Sequence, residues 1–522
     1  MKLKREENRG DTTLIEIIIP SYITEIEDGS FEGCVNLEEI TFLPDSQLES
    51  IGKNAFRNCK KLRKIILPEK VERIGVSAFR GCKSLEKVIF RNKVRHIGND
   101  AFRDCIKLES IEIPEGVKKI NCFRGCSSLE FVKIPDSVEE ISDYGFDSCA
   151  NLDIMSGSIS KQNNIRRIGN FAFNRCSNLK VRFRLFEILF PNLLSIGNFA
   201  FSRCHSLEII DIPIAVHTIG NNCFTGCHGL VFINLPLRLK KISICCFSGC
   251  KSLNYIQIPD EVEEIEMNAF SGCSSIESIE IPDTVEVIGK RAFSGCELLK
   301  NALLSENLRS VNVGLFAGCF ELESVYLGPH IQAIHRYAFY QCKLRNITYD
   351  DTDEIVIPDK IGFIGQSAFY GCGMKKLVVG SKIIIEDYSF SSCQNLKSAS
   401  IEEKTVLLGN YIFVLCKNLR FLIIGSHVQM SGINIFDSTV KFVSIGAHVG
   451  NPHNYFANNQ NRVGTFKSLK KYNKMNFTSC PISRDDFEDS TEVVMTSCGH
   501  FFSMESIKMC IDARCPMCRE VY

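Results

Sequence analysis

The chain has 522 residues, with 61 basic and 61 acidic side chains and so no net formal charge. That balance disfavours nucleic acid and anionic membranes as partners, since both attract a net basic surface. No apolar run approaches the roughly eighteen residues a membrane helix needs. The polar start, Met1 to Gly10, is not backed by the apolar core of a signal peptide. The expected setting is the cytosol or nucleus, where the 26 cysteines stay thiols or bind metal and do not pair as disulfides.

After a polar tail at 1–15, one unit repeats from 16 to 450. Its clearest copies run Phe-Ser-Gly-Cys, then Leu or Ile, then Ile-x-Ile-Pro, then Val-x-x-Ile. The Phe-x-x-Cys element recurs seventeen times, from Cys34 to Cys416, most often 23 residues apart. A fixed period of 20 to 29 residues with apolar slots means stacked coils, each covering the core of the next. The slots resemble the BspA-type leucine-rich repeat. That resemblance implies a mostly β solenoid of stacked parallel strands, about 18 coils here.

The chemistry of each slot follows from its spacing. In Leu-x-x-Ile-x-Ile the last two apolar residues alternate, so they face one side of a short strand. Tyr255 and Gln257, or Ser278 and Glu280, then point outward and pave a surface. Pro259 and Pro282 lack an N–H and end the strand. The Val-x-x-Ile-Gly segment turns the chain on the opposite side, Ala and Phe fill the core, and the cysteine packs in the corner as a small hydrophobe. Cys122, Cys223, Cys245 and Cys246 receive the same core reading, and His96, His217 and His335 read as surface residues. No phosphate-binding loop, zinc-protease or nucleophile-elbow motif is present in the sequence.

Insertions near Met155–Asn164, Lys180–Phe190 and Tyr349–Glu354 lengthen individual coils and are expected to project and shape a binding surface. The last copy keeps Phe436 but carries Ser438 and Thr439 where a cysteine belongs, a polar ending that suits a cap. An Asn- and Lys-rich stretch at 451–475 reads as a flexible linker.

The final stretch, 476–522, breaks the cysteine rule. Cys498 and His500 form one close pair, Cys515 and Cys518 another, with fourteen residues between them. Three thiolates and one imidazole so spaced suit one tetrahedral Zn²⁺. Cys-Pro-Ile-Ser at 480–483, Cys-Gly-His-x-Phe and Cys-Pro-x-Cys-Arg resemble the RING finger, the U-box and the SP-RING. In that resemblance Cys480, Ser483, Ser503 and Ser506 occupy a degenerate first site without zinc, leaving a small α+β RING/U-box-like domain with one metal.

The resemblance implies an E3 ubiquitin ligase. The solenoid would grip a protein substrate, and the terminal module would recruit a ubiquitin-loaded E2 as a scaffold without a covalent intermediate. Ile482 and Pro516 would touch the E2, Arg519 would clamp ubiquitin, and Cys510 stands where a larger groove-filling residue is usual. Two alternatives stand beside it. One is a non-enzymatic interaction or surface protein with a degenerate zinc module; the other is a SUMO ligase of SP-RING type.

Overall fold

Two short strands and three tight turns make most of the described coils, and the apolar slots decide both. The computed structural model describes residues 2–3, 8–91, 93–153, 163–180, 185–348, 353–407, 409–425, 427–432, 435–436, 442–445, 464–465, 492–495 and 501–503. These fall in two compact units, Met1–Ile276 and Glu277–Tyr522.

In the first unit the Leu-x-x-Ile-x-Ile slot forms parallel pairs: Glu16–Ile19 with Glu39–Phe42, Lys64–Ile66 with Lys87–Ile89, Ser110–Glu112 with Phe131–Lys133, and Ile209–Asp211 with Phe232–Asn234. Their middle apolar residues, such as Ile40, Ile65, Val88 and Ile111, are buried, and the residues beside these four are exposed or half-buried, whereas Asp211 beside Ile210 is buried. The Val-x-x-Ile slot does more than turn the chain. Its last two residues form a second parallel ladder, for example Glu25–Ile26, Ser50–Ile51, Arg73–Ile74 and His96–Ile97 in register. Between the ladders the proline opens a turn: the Val71 N–H donates to the Pro68 carbonyl at 3.3 Å, and Val117 does the same to Pro114. At the start, Lys2–Leu3 pairs with Glu25–Ile26, and the Gly10 N–H donates to the Glu32 carbonyl.

The second unit repeats the scheme. Glu354–Ile357, Lys376–Val379, Ser398–Ile401, Phe421–Ile424 and Phe442–Ile445 form one parallel sheet. Ser310–Val311, Ala333–Ile334, Phe363–Ile364, Ile384–Ile385, Val406–Leu407 and Gln429–Met430 form the other.

Glu27, Ser142, Ser243 and Glu266 follow the second strand in some coils, but where glycine stands there, as at Gly75 and Gly98, the preceding coil's backbone is too close for a Cβ. A Cβ on Gly75 would lie 2.5 Å from the Gly52 carbonyl carbon, and one on Gly98 would lie 2.5 Å from the Val76 nitrogen. No side chain fits there. The insertion near Lys180–Phe190 also differs from expectation. It contains a five-residue helix, Leu185–Leu189, whose Phe186 is fully buried with its ring 5.7 Å from Phe201 in a T-shaped contact. Phe186 and Phe190 fill the core in place of a strand, so the described part of this insertion packs inward.

Past the repeats, Glu492–Met495 pairs antiparallel with Phe501–Ser503 and with Gly464–Thr465. Among the described residues of 451–522 these three strands are the regular structure. The expected α+β RING/U-box-like zinc domain is corrected here. The fold described is a β solenoid, and among the described residues no group of three or more His, Cys, Asp or Glu could hold a metal ion. A tetrahedral zinc needs four such ligands converging on one point.

Candidate functional site: the outward strand face

The interior corner is committed to structure. Phe56, Phe79 and Phe102 stack on one another with centroids 5.3 and 5.4 Å apart and nearly parallel rings. Each phenylalanine carbonyl accepts from the N–H of the cysteine three residues on, as Phe79 does from Cys82 at 3.2 Å. It also accepts the thiol of the next coil's cysteine: Cys105 Sγ donates to the Phe79 carbonyl at 3.3 Å and Cys82 Sγ to Phe56 at 3.2 Å. The same bond recurs in the second unit, at Cys319 to Phe293 and Cys342 to Phe316, both 3.1 Å. So the repeat cysteine is more than a small hydrophobe; it is a donor that links one coil to the one before it. Sequence periodicity shows the slot but carries no sign of the bond.

These thiols stay protonated. Burial removes the water that would stabilise a thiolate and pushes Cys82 and Cys227 up to about 12. All twenty-one described cysteines are free. A buried neutral thiol is neither nucleophile nor metal ligand. Cys122, Cys223 and Cys246 are buried as expected, whereas Cys245 is half-buried at φ +52° and departs from the core reading. His96 and His217 are exposed; His335 is half-buried with its ring 5.9 Å from Phe363.

Beside this corner, Arg57, Arg80, Arg103 and Arg124 occupy the same slot in four successive coils. Acids answer them: Glu32 lies 3.5 Å from Arg57, Asp104 4.0 Å from Arg80, Asp100 3.4 Å from Arg103 and Asp147 2.9 Å from Arg124. Arg124 also sits 4.5 Å above the Tyr144 ring. Each of these arginines has an acid beside it, and Glu32 also holds Arg9 at 2.9 Å.

The outward strand face is different. In the first four coils one exposed column reads Glu16, Glu39, Lys64, Lys87, and the column beside it reads Ile18, Thr41, Ile66, Ile89. Ile18 is 61% exposed and Ile66 39%. The strand pairs 16–19/39–42 and 64–66/87–89 belong to separate sheets. At the junction the chain bows out through Leu43 to Gln47 and leaves a depression of about 970 Å³, lined by Glu39, Thr41, Leu43, Lys64, Ile66 and Arg91 among others. An exposed apolar stripe bordered by charge, on a rigid stacked scaffold, can hold a protein surface.

The residues expected to carry zinc and ubiquitin chemistry are not brought together by the described structure. Cys498, His500, Cys515 and Cys518 lie outside the described residues, as do Cys480, Ile482, Ser483, Ser506, Cys510, Pro516 and Arg519. Ser503 ends the strand Phe501–Ser503, opposite Val493.

Comparison with known proteins agrees with the repeat architecture. The pattern of the BspA type leucine rich repeat region matches residues 9–121, 96–231, 156–251, 217–345 and 347–461. A leucine-rich repeat protein of Bacteroides ovatus is 28% identical, covers 69% of this chain and 83% of its own, and superposes with a TM-score of 0.55. A leucine rich cell surface protein of Faecalibacterium prausnitzii is 23% identical over 74% of this chain and 87% of its own, with a TM-score of 0.33. No curated protein matches the chain. Among the described residues no helix is long and apolar enough to cross a membrane.

These findings correct the expectation of an E3 ubiquitin ligase with one Zn²⁺ and with E2 and ubiquitin as partners. The match is to repeats alone. No metal-holding cluster occurs among the described residues, and Phe-x-x-Cys cysteines such as Cys82, Cys105, Cys319 and Cys342 donate to the coil before them. What the site supports is the non-enzymatic alternative, an interaction solenoid.

Proposed function

Because the chain belongs to the BspA-type leucine-rich repeat family, we propose that residues 16–450 are a protein-binding solenoid that acts by surface complementarity. The observation that carries this reading is the contrast between a saturated interior and an outward strand face with exposed apolar side chains. The corner thiols and phenylalanine carbonyls are bonded to their neighbours. The exposed isoleucines of the first coils have water where a partner would remove it, at about 25 cal/mol gained per Å² covered. In the same reading residues 1–15 are a polar tail, 451–475 a linker and 476–522 a separate terminal segment.

We place this binding in a reducing compartment, the cytosol or nucleus. The support is the set of free, buried thiols in every described coil corner, which oxidising surroundings would not favour during folding. Affinity capture with the full chain from its own cells, followed by crosslinking, tests the binding function. The expected result is a saturable partner whose crosslinks fall on the repeats. Capture of nothing, or crosslinks only beyond residue 450, overturns it.

A further inference from the structure

Like charges placed directly opposite each other on neighbouring strands repel, and a stack of similar coils is prone to such placements. Several registers elsewhere in the molecule avoid them. Glu112 faces Lys133 in register at 3.2 Å, and Glu140 is flanked by Lys119 at 3.0 Å and by Arg167. The first four coils do the reverse. Glu16 is in register with Glu39, and Lys64 with Lys87. All four side chains are exposed, and none forms an ion pair among the described residues. The sign changes once, at the junction where the two strand pairs part and the depression opens. The exposed Ile18 and Ile66 and the half-buried Ile89 run alongside.

Resting on the binding reading above, we propose that this face of the first four coils docks a helical segment of a partner protein. That segment carries an apolar row flanked by a charged row that is basic over two turns and then acidic over two. The charge order follows from complementarity: cations over Glu16 and Glu39, anions over Lys64 and Lys87. The conformation follows from spacing. Coils stack about 4.8 Å apart, and a helix laid along the stack presents one residue per turn at about 5.4 Å. Four turns therefore track four coils with a mismatch of about 2 Å. The apolar row covers the isoleucine stripe and reaches into the depression beside Leu43. The repulsion between like neighbours in the free protein is relieved only when the partner's charges arrive.

Two synthetic helical peptides of identical composition test this. One carries the flanking order Lys-Lys-Glu-Glu, the other Lys-Glu-Lys-Glu, each beside the same leucine row. The full chain is expected to bind the block peptide about tenfold more tightly at low salt, with the difference shrinking as salt screens it. The paired substitution Glu39→Lys with Lys64→Glu turns the protein's own column into an alternating one. It is expected to invert the preference, with an unchanged circular dichroism spectrum showing that the variant folds. Equal binding of both isomers, no binding of either, or a preference that survives the paired substitution overturns the assignment of this face. In those cases a captured partner that crosslinks elsewhere on the repeats leaves the binding reading intact, whereas a chain that captures nothing overturns both.

Discussion

The inside and the outside of these coils obey opposite rules for stacking like on like. In the corner, identity helps. Phenylalanine on phenylalanine buries both rings, and each cysteine finds its acceptor on the preceding phenylalanine. On the strand face, identity of charge hurts, and the second unit shows the usual remedy. Down one of its outward columns Glu277 meets Lys300 at 3.0 Å, Glu323 meets Arg345 at 3.4 Å, and Arg345 meets Asp353 at 3.9 Å. Acid and base alternate there from Glu277 to Asp353. The Glu16, Glu39, Lys64, Lys87 column keeps its like neighbours. A stacked fold can therefore reveal where it gives up stability, because the neutral arrangement is one exchange of residues away.

The largest test of the interior rule is alkali. A buried thiol held up to about 12 keeps its proton in the folded chain, while the unfolded thiol loses it near its ordinary value of 9.0. Below pH 9 the stabilisation is complete. Above it the unfolded state binds fewer protons, so stability falls steadily as pH rises toward 12. Many corners titrate together, and denaturant unfolding between pH 8 and 11 should show a steep loss that Cys82→Ala makes shallower. A flat profile would break the claim that the corners hold neutral thiols.

Removing a ring from the stack comes next. Phe79→Ala should cost about 3–5 kcal/mol, against less than about 0.5 kcal/mol for the exposed Thr41→Ala. Comparable losses at the two positions, measured by urea midpoints, would erase the distinction between corner and face. A finer probe separates the cysteine's two roles. If Cys105 were only a small hydrophobe, serine would be worse than alanine there. As a donor to the Phe79 carbonyl, serine keeps the bond, and Cys105→Ser should match or exceed Cys105→Ala by about 1 kcal/mol. The smallest effect belongs to the outside. Glu39→Lys with Lys64→Glu converts two like-charge registers to opposite ones and should stabilise by about 0.2–1 kcal/mol per pair. A loss of stability instead would mean the column is not repulsive.

The period, the buried slots and the strand between Leu and Pro were all legible in the residues, because apolar spacing is a direct print of which side faces the core. The second strand ladder was not. Two residues are too few to show alternation, and what makes Arg73–Ile74 a strand is its neighbour in the next coil. The Cys-to-Phe bond was equally hidden, since its partners are 26 residues apart in most coils and the sequence holds no trace of a sulfur's direction. Phe186 and Phe190 read as part of a projecting insertion because extra length suggests a loop, yet two phenylalanines four apart can close a helical turn onto the core. The terminal Cys and His pairs pointed to zinc for a related reason. Spacing tells which residues could reach one ion, but not whether a fold gathers them. The charge column was in plain sight, but its meaning needs the register.

The corner bonds run from each coil to the one beside it, Phe79 N–H to the Ala101 carbonyl and Cys105 Sγ to the Phe79 carbonyl. A chain clipped together in this way behaves under tension like a row of snaps. Pulled from its ends, a unit gives way coil by coil, and each release pays out about 23 residues, or about 70–80 Å of extended chain. A single-molecule force trace should then show a sawtooth of near-equal steps, longer at the coils that carry insertions.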